Sequence, residues 1–306
     1  MAFTESEVIA LLAQVFASSD PNLEVGIGDD AAVIRTSNRT VITTDMAVEG
    51  VHFRLKWSSA FEIGRKITAA NLADVFSMGA KPTFLVVAVS LTGNEELDWI
   101  KDLADGIAFE AKLVGASVVG GDLAKGSEIT IAITALGEVK DPILRNGAQV
   151  GDQIYLSNLT GWSRAGLAIL EKDLPIESDA AKRAVAAFRA PTLNYSYVAD
   201  LAQASALSDV SDSLVTQDEQ IASASKVEFA INFKLFEAAA DFAELSALSQ
   251  EIDISISDLV LGGGEDHVFL ATGKDLPGLL IGQVKSGSGL TLQGNEKAPD
   301  TWRHFD

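Results

Sequence analysis

The chain has 306 residues, 47% hydrophobic and 22% charged, which is long enough for two globular domains. Its 43 acidic and 23 basic residues give a formal net charge of −20, and this argues against nucleic-acid binding, because phosphate contacts need clustered Lys and Arg. The lack of cysteine excludes disulfides, a thiol nucleophile and a thiolate metal site.

The N-terminal segment, residues 1–16, has the apolar spacing of an amphipathic helix. It carries acids instead of the basic start of a signal peptide. No apolar run in the chain approaches the roughly 20 residues that span a bilayer. We therefore expect a cytoplasmic protein without a membrane partner.

The first half of the chain alternates strands and helices. Strands are predicted at 31–34, 40–46, 83–91, 116–122 and 128–139, and helices at 61–80 and 96–115. Residues 137–152 contain Pro142 and three glycines between apolar runs. This composition predicts a connection between two domains, residues 1–140 and 141–306.

The second half repeats the alternation. A strand at 153–158 precedes two helices, at 161–172 and 178–190, and Pro191 ends the second helix. The glycine-rich stretch 285–296 predicts a hairpin. The whole pattern indicates an α/β (α+β) protein of two domains.

Six short segments place acidic residues at the edge of an apolar run. They are GIGDD (26–30), TTDMAVEGVHF (43–53), NLADVFSMGA (71–80), VVGGD (118–122), DVSDSL (209–214) and GGGED (262–266). Taken singly, each segment predicts only a turn or a cap, because an Asp after Gly is usually a turn former. Together they supply many oxygen ligands: Asp29, Thr43, Thr44, Asp45, Asp74, Asp122, Asp209 and Asp212.

An all-oxygen ligand set favours Mg²⁺ or Ca²⁺ over zinc. The ligands are dispersed along the chain, unlike those of an EF-hand loop, so we expect a cleft whose metals are completed by substrate phosphates, as Mg²⁺ prefers. Several Mg²⁺ ions would also offset the repulsion between an acidic cleft and a nucleotide. The phosphate-binding P-loop pattern and the His-Arg-Asp and Asp-Phe-Gly motifs of protein kinases are absent.

The segments, in this order, resemble the thiamine-monophosphate kinase family of the aminoimidazole-ribotide-synthetase-like (PurM-like) superfamily. GIGDDAAVI, TTDMAVEGVHF, NLADVFSMGA, VVGGD, LRNGAQVGD, DVSDSL, GGGED and a WRHF tail carry the resemblance, which spans about residues 3–305. The pairing of GIGDD with TTD-x₃-EG-x-HF is its most specific part.

The resemblance implies ATP-dependent transfer of the γ-phosphate to thiamine monophosphate, which gives thiamine diphosphate, the last step of that biosynthesis. It also implies an N-terminal α/β domain that binds ATP and Mg²⁺ and pairs in a homodimer, and a C-terminal α/β domain that closes over the nucleotide. The expected transfer is direct and in line, with several Mg²⁺ ions and no phosphoenzyme.

The roles implied by the resemblance fall on three groups of residues. Metal ligands are implied at Asp29, Thr43, Thr44, Asp45, Asp74, Asp122, Asp209 and Asp212. Nucleotide contacts are implied at Gly121, Asp122, Arg145 and Ser211, and substrate contacts at His52, Glu265 and Trp302. No side chain is assigned as a catalytic acid or base; Asp29, Asp45, Asp122 and Asp212 act through Mg²⁺, and Asp30 is a supporting residue.

Two positions depart from the family pattern. The family's Ser-Asp-Gly-Leu reads Ser211-Asp212-Ser213-Leu214 here, so Ser213 would be strained, or the turn would shift, if the glycine needs a positive φ. His267 stands where a tyrosine is usual.

Two alternatives stay open at this point. One is another ATP-using enzyme of the superfamily, of the ribotide-synthetase type; members that need a cysteine or selenocysteine do not fit a chain without cysteine. The other is a non-catalytic sensor of nucleotide or thiamine phosphate, which the changes at Ser213 and His267 would support.

Overall fold

The computed structural model describes residues 5–25, 27, 32–294 and 299, with side chains of the first helix described from Glu7 onward. The chain forms two compact units, one of Met1–Phe76 and Ala80–Asp141 and the other of Ser77–Gly79 and Pro142–Asp306. Both units mix helices and sheet, so the expected α/β (α+β) class is confirmed. Within the described residues, every helix is too short or too polar to cross a membrane.

The first unit alternates strands and helices along the chain. Its elements are α1 (Glu5–Val15), β1 (Leu23–Val25), β2 (Val33–Ile34), β3 (Arg39–Val48), α2 (Ala60–Ser77), β4 (Lys81–Leu91), α3 (Leu97–Leu113), β5 (Ser117–Lys125) and β6 (Thr130–Val139). The strands β3, β6, β4 and β5 form one sheet in that order, with β4 and β5 parallel and the other pairs antiparallel.

Helices cover one face of this sheet. Ile131 and Ile133 of β6 are fully buried on that face, and a side-chain carbon of Val75 in α2 lies directly against Gly137 of β6. On the other face, Ile42 and Met46 of β3 are 66% and 57% exposed. The period-two alternation of a strand therefore leaves an open apolar face on the unit as it stands.

The second unit begins with the short 3-10 helix Arg145–Gly147. Its other elements are β7 (Gln153–Leu156), α4 (Trp162–Glu171), α5 (Asp179–Arg189), α6 (Tyr195–Ala199), β8 (Ala206–Val210), α7 (Leu214–Ser225), β9 (Glu228–Asn232), the 3-10 helix Phe233–Ala238, α8 (Phe242–Glu251), α9 (Ile256–Gly262), β10 (Val268–Gly273), β11 (Leu279–Lys285) and β12 (Gly289–Gln293). The sheet order is β12-β9-β11-β7-β10-β8.

The hairpin predicted for residues 285–296 is wrong. β12 pairs in parallel with β9, and β9 lies between β12 and β11, so the two arms of the expected hairpin are not neighbours. Lys285 of β11 and Gly289 of β12 both pair with Glu228, so the intervening turn passes the start of β9. Local glycines predicted the turn correctly, but the strand pairing depends on a segment some sixty residues earlier.

Candidate active site

Three of the predicted site residues, Asp29, Asp30 and Trp302, lie outside the described residues. The others fall into two groups, one in each unit. The first unit contains Thr43, Thr44, Asp45, His52, Asp74, Gly121 and Asp122. The second unit contains Arg145, Asp209, Ser211, Asp212 and Glu265.

In the first unit, the TTD segment lies on β3 and NLAD lies on α2. The Thr43 hydroxyl donates a hydrogen bond to Asp74 Oδ2 at 2.7 Å. The backbone N–H of Asp45 donates to the side-chain oxygen of Asn71, which is one helical turn before Asp74. The edge strand β3 and the helix α2 thus bring Thr43, Asp45 and Asp74 to the same side of the sheet.

Thr44 and Asp122 belong to the opposite face of that sheet. The register runs Asp122, Ala88, Ala132, Met46 across the four strands, and residues opposite one another in a sheet point to the same side. Asp122 is exposed there, in register with the exposed Met46. Thr44 accepts a hydrogen bond from Thr134 on this face. The oxygen ligands of the first unit are therefore divided between the covered and the open faces.

Gly121 is required by packing within the sheet. A Cβ at this position would lie 2.0 Å from the carbonyl oxygen of Val87 on β4, and backbone cannot move aside cheaply. The glycine keeps β5 close to β4 immediately before Asp122. Its role as a nucleotide contact remains a prediction.

His52 lies in the turn that follows β3. Its Nδ1 accepts a hydrogen bond from the backbone N–H of Val48 at 3.1 Å, which leaves the proton of the neutral ring on Nε2. The carbonyl of His52 accepts from the buried Lys66 at 3.4 Å. Both bonds hold the turn, so His52 has a structural role in addition to any contact with substrate.

In the second unit, the DVSDSL segment continues β8 into α7 and meets the GGGED loop. The backbone N–H of Glu265 donates to the carbonyl of Ser211 at 2.6 Å. A Cβ on Gly264 would lie 2.2 Å from the carbonyl oxygen of Asp212, so only glycine allows this approach. Two acidic segments more than fifty residues apart are thereby placed side by side.

The same loop contains two residues with left-handed backbone, Glu265 at φ 65° and His267 at φ 50°. Such conformations cost of the order of 1–3 kcal/mol each in a non-glycine residue and persist where surrounding contacts hold them. Here the backbone bonds to Val210 and Ser211 supply those contacts. The GGGED loop is therefore held in one conformation against the end of β8.

His267 and Asp209 form a buried pair. His267 Nδ1 lies 3.0 Å from Asp209 Oδ2, and the two side chains are 6% and 2% exposed. Asp209 cannot accept from the ring unless Nδ1 carries the proton, so the pair fixes the histidine tautomer. The departure from the family's tyrosine thus places a hydrogen-bond partner directly on a predicted metal ligand.

The strain considered for Ser213 is not found. Its φ is −169° and its ψ 160°, an extended conformation open to any residue. Its hydroxyl accepts from the backbone N–H of Thr216 at 3.1 Å and so caps the N-terminus of α7. Serine is a preferred N-cap residue, and it occupies this position without backbone strain.

Asp266 links the GGGED loop to α4. Its two oxygens accept from the backbone N–H groups of Gly161 and Ser163 at 2.7 and 2.9 Å, at the start of that helix. Burial raises the pKa of Asp266 to about 6, although these two hydrogen bonds oppose the shift. Asp266 therefore holds α4 and the GGGED loop together.

Arg145 is the predicted phosphate contact of the second unit. It is exposed in the 3-10 helix Arg145–Gly147, and its guanidinium donates to the side chain of Gln220 on α7 at 2.8 Å. This bond orients the arginine relative to the helix that Ser213 caps. The remaining N–H groups of the guanidinium suit recognition of a phosphate.

The donor set fits magnesium. Among the described residues, no three acidic or histidine side chains lie close enough together to hold a metal ion. Mg²⁺ does not need such a cluster, because it binds through one or two carboxylates and completes its shell with water and phosphate oxygens. Within the first unit, the Asp45 and Asp74 carboxylates, with the Thr43 hydroxyl bound to Asp74, match that mode.

Two supporting residues and one contact were missed by the reasoning from sequence. Asn71 holds the backbone of Asp45, and its position three residues before Asp74 on one helix face could have indicated this. Gln217 joins Ser208 to Ser211 through its amide. The pairing of His267 with Asp209 had no local signal, because it depends on the pairing of β8 with β10.

Comparison with known protein families gives a match in the first unit. Residues 28–139 match the family model "AIR synthase related protein, N-terminal domain". This part of the chain is therefore similar to the N-terminal domain of the AIR-synthase-related class of proteins. The match covers the open sheet of the first unit and the segments that carry Asp45, Asp74 and Asp122.

The more specific likeness extends over both units. A thiamine-monophosphate kinase of Mycobacterium tuberculosis (strain CDC 1551 / Oshkosh) is 36% identical over 250 residues, which are 81% of this chain and 74% of that protein. The crystal structure of thiamine-monophosphate kinase from Stenotrophomonas maltophilia K279a aligns with a TM-score of 0.83 at 28% identity, over 97% of this chain and 99% of that one. The chain belongs to the thiamine-monophosphate kinase family, as its motifs predicted.

A further similar structure is AaThiL complexed with AMPPCP and TMP. It aligns with a TM-score of 0.82 at 28% identity and covers 98% of this chain and 97% of that one. The likeness therefore includes a family member whose structure holds both of those ligands.

Proposed function

We propose that the protein transfers the γ-phosphate of ATP to thiamine monophosphate and so forms thiamine diphosphate in the cytoplasm. The observation that carries the proposal is the likeness, over nearly the whole chain, to AaThiL complexed with AMPPCP and TMP. The acidic segments of the two units support it, because a nucleotide-binding site of this charge needs metal ions.

We assign the metal ligands of this reaction to the oxygen-bearing residues of the two units. They are Asp29, Thr43, Thr44, Asp45, Asp74, Asp122, Asp209 and Asp212. When bound, Mg²⁺ neutralises the phosphate charge and stabilises the charge that develops during transfer. Thr43 and Asn71 hold Asp74 and the backbone of Asp45 for that purpose.

The remaining assignments concern the two substrates. We propose that Gly121, Asp122, Arg145 and Ser211 contact ATP, with Arg145 donating to a phosphate. His52, Glu265 and Trp302 are the proposed contacts of thiamine monophosphate. A carboxylate and an aromatic ring both suit a planar thiazolium cation.

The chemistry of the acceptor explains why no catalytic base is assigned. The attacking atom is a phosphate oxygen of thiamine monophosphate, and a phosphate monoester is largely a dianion at pH 7 because its second pKa is about 6. That oxygen bonds to the γ-phosphorus as the bond to ADP breaks, and ADP leaves with the electron pair. The protein has to position the two substrates and offset their charge.

The open apolar face of the first unit supports a homodimer as the working form. Ile42 and Met46 are large hydrophobic side chains that are mostly exposed on this face, and a second copy of the same sheet would cover them. Ile42→Asp should convert a dimer into a monomer in size-exclusion chromatography with light scattering. Ile176→Asp, at an exposed position of the second unit, is the matched control and should leave the mass unchanged.

The reaction is tested by incubating the purified protein with ATP, Mg²⁺ and thiamine monophosphate and measuring thiamine diphosphate by chromatography. We expect product that disappears on addition of EDTA and returns with excess Mg²⁺. A fully folded protein that binds ATP but makes no product would refute the proposed activity. It would favour the sensor alternative, which has lost one of its supports because Ser213 is unstrained.

A further inference from the structure

The end of β8 places the carboxylate of Asp209 in the interior of the second unit. Asp209 lies opposite Phe269 of β10 in the register of the sheet, and its side chain is 2% exposed. A carboxylate that has lost its water is costly unless its oxygens meet donors or a metal ion. The surroundings of each oxygen therefore decide what Asp209 can bind.

The two oxygens of Asp209 have different surroundings. Oδ2 lies 3.0 Å from His267 Nδ1, whereas Oδ1 has no hydrogen-bond partner among the residues that the structure describes. Within this part of the chain, the side-chain oxygens that lack a partner and are sealed from solvent belong to Ser77, Ser163 and Asp218. Oδ1 of Asp209 is not one of them, so it stays accessible. One oxygen is thus occupied by the protein, and the other is open to a ligand.

His267 is held against Asp209 by the backbone around it. Its N–H donates to the carbonyl of Val210 at 2.9 Å, next to the pairing of Val268 with Val210 in the sheet. On its other side, Asp266 is anchored to the start of α4 by two hydrogen bonds. The His267 side chain is only 6% exposed. The imidazole therefore cannot swing away from Asp209 unless the loop opens.

The backbone of Asp209 is fixed as well. The Ser208 hydroxyl lies 3.0 Å from the Asp209 carbonyl oxygen and 3.3 Å from the amide oxygen of Gln217 on α7. The amide N–H of Gln217 donates to the Ser211 hydroxyl at 3.3 Å. One side chain thus joins the residues on both sides of Asp209. With its backbone and Oδ2 both held, the carboxylate presents Oδ1 in one direction.

A carboxylate with one occupied oxygen discriminates between divalent cations. Ca²⁺ takes about six to eight oxygen ligands and often binds both oxygens of one carboxylate, whereas Mg²⁺ keeps a near-ideal octahedral shell rich in water. The N–H of His267 competes for the oxygen that a bidentate Ca²⁺ would need. The pair therefore favours the smaller ion, bound to Oδ1 alone. Loss of a hydrogen bond that orients a metal ligand typically costs roughly 10–100-fold in metal affinity.

We propose that His267 is a positioning residue that makes Asp209 a one-oxygen ligand and so selects Mg²⁺ over Ca²⁺ at this carboxylate. The inference rests on the proposed function, which makes Asp209 a metal ligand. It also gives a role to the departure from the family's tyrosine. The ring position that holds Nδ1 in histidine is a carbon in tyrosine, so the N–H on Asp209 belongs to the histidine.

Three variants isolate this hydrogen bond. His267→Phe keeps a buried ring and removes the donor. His267→Asn keeps an N–H close to the position of Nδ1, and asparagine tolerates the left-handed backbone found there. Tyr197→Phe is the matched control, because it also places phenylalanine at a buried polar ring and removes a 2.6 Å hydrogen bond, to the carbonyl of Pro277 outside this loop.

The first measurement is calorimetric titration of the full chain with MgCl₂ alone and with CaCl₂ alone. The ratio of the Kd for Ca²⁺ to the Kd for Mg²⁺ should fall at least about tenfold in His267→Phe. It should stay within about twofold of wild type in His267→Asn and in Tyr197→Phe. In an Asp209→Asn background, His267→Phe should change the ratio no further, because the effect acts through that carboxylate.

The second measurement is the dependence of the kinase assay on Mg²⁺. The Mg²⁺ concentration that gives half of the maximal rate should rise about tenfold in His267→Phe, while KM for thiamine monophosphate stays within about twofold. Circular dichroism checks that each variant is folded. His267→Gly also lacks the donor and accepts the left-handed backbone, so it carries the same expectations if His267→Phe does not fold.

Failure of this inference and failure of the proposed function give different results. An unchanged ratio in the folded variant without the donor, or His267→Asn behaving like that variant, would overturn the role of His267 and leave the activity in place. Wild-type protein that binds neither ion would also overturn it. The expected ratios in a protein that forms no thiamine diphosphate would overturn the activity and leave the role of His267 in place.

Discussion

Asp218 should make the protein less stable than it would be with an amide at the same position. The residue lies on α7, is fully buried, and neither carboxyl oxygen has a hydrogen-bond partner within the described part of the chain. Burial, and secondly the charge of Glu219, raise the pKa of Asp218 well above the usual aspartate value of 3.8. At pH 7 folding therefore requires either a buried charge or the uptake of a proton.

Asp218→Asn removes the ionisation cost and keeps the shape of the side chain. The desolvation of an unsatisfied neutral polar group, about 1–3 kcal/mol, remains in the variant, so the gain is limited to the ionisation cost. We expect a stabilisation on the order of 2 kcal/mol at pH 7. This is comparable with the contribution to stability of other carboxylates whose pKa changes on folding. For a unit of this size, that is about 4–8 °C in Tm.

The pH dependence gives the sharper test. Because the folded-state pKa is raised, the contribution of Asp218 to stability is fully present below pH 3.8 and is lost as the pH rises through the folded-state pKa. Urea unfolding followed by circular dichroism from pH 4.5 to 8 should show a smaller fall in stability for Asp218→Asn than for wild type. Glu171→Gln, at an exposed acid of α4, is the matched control. A variant that is less stable than wild type at pH 7, with the same pH slope, would refute the reasoning.

Three further outcomes follow from the site. Asp45→Asn should lower kcat by on the order of 10²–10³ because it removes a proposed metal ligand, whereas Glu49→Gln should change kcat by less than threefold; equal small losses in the coupled assay would contradict the assignment. Gly264→Ala should cost about 1–3 kcal/mol in urea unfolding, because its Cβ would meet the Asp212 carbonyl at 2.2 Å, whereas Gly120→Ala, with open space at its Cβ, should be near neutral. Ser213→Ala should cost about 1 kcal/mol and Ser213→Gly only a few tenths, since glycine also tolerates the N-cap position; a larger loss for glycine would argue against the capping role.

Local sequence determined the elements and the order of the acidic segments. The alternation on β3 and the helical spacing around Asp74 each follow from a few neighbouring residues, and both were predicted. The thiamine-monophosphate kinase family also followed from motifs that are short and contiguous. Features of this kind are encoded within one strand or one helical turn.

The features that the sequence did not predict depend on contacts between segments that are far apart in the chain. The bond between His267 and Asp209 exists because β8 and β10 are neighbours, and nothing near either residue indicates this. The burial of Asp218 depends on how the whole of α7 packs. The sequence alone predicts the opposite, because Asp218 followed by Glu219 is typical of a solvent-exposed helix face. Thr44 and Asp122 lie on the opposite face of the sheet from Asp45, and this follows only from the register of all four strands.

The insertion of β9 between β11 and β12 constrains the order in which the second unit can fold. β9 has no neighbour on either side until residues 279–293 have been synthesised, since both of its partners come later in the chain. During synthesis its apolar segment, including Phe229 and Ile231, must wait as an unpaired strand, the state in which chains are most prone to associate with one another. Completion of the sheet is thus a late, non-local event, and it should set the folding rate of this unit.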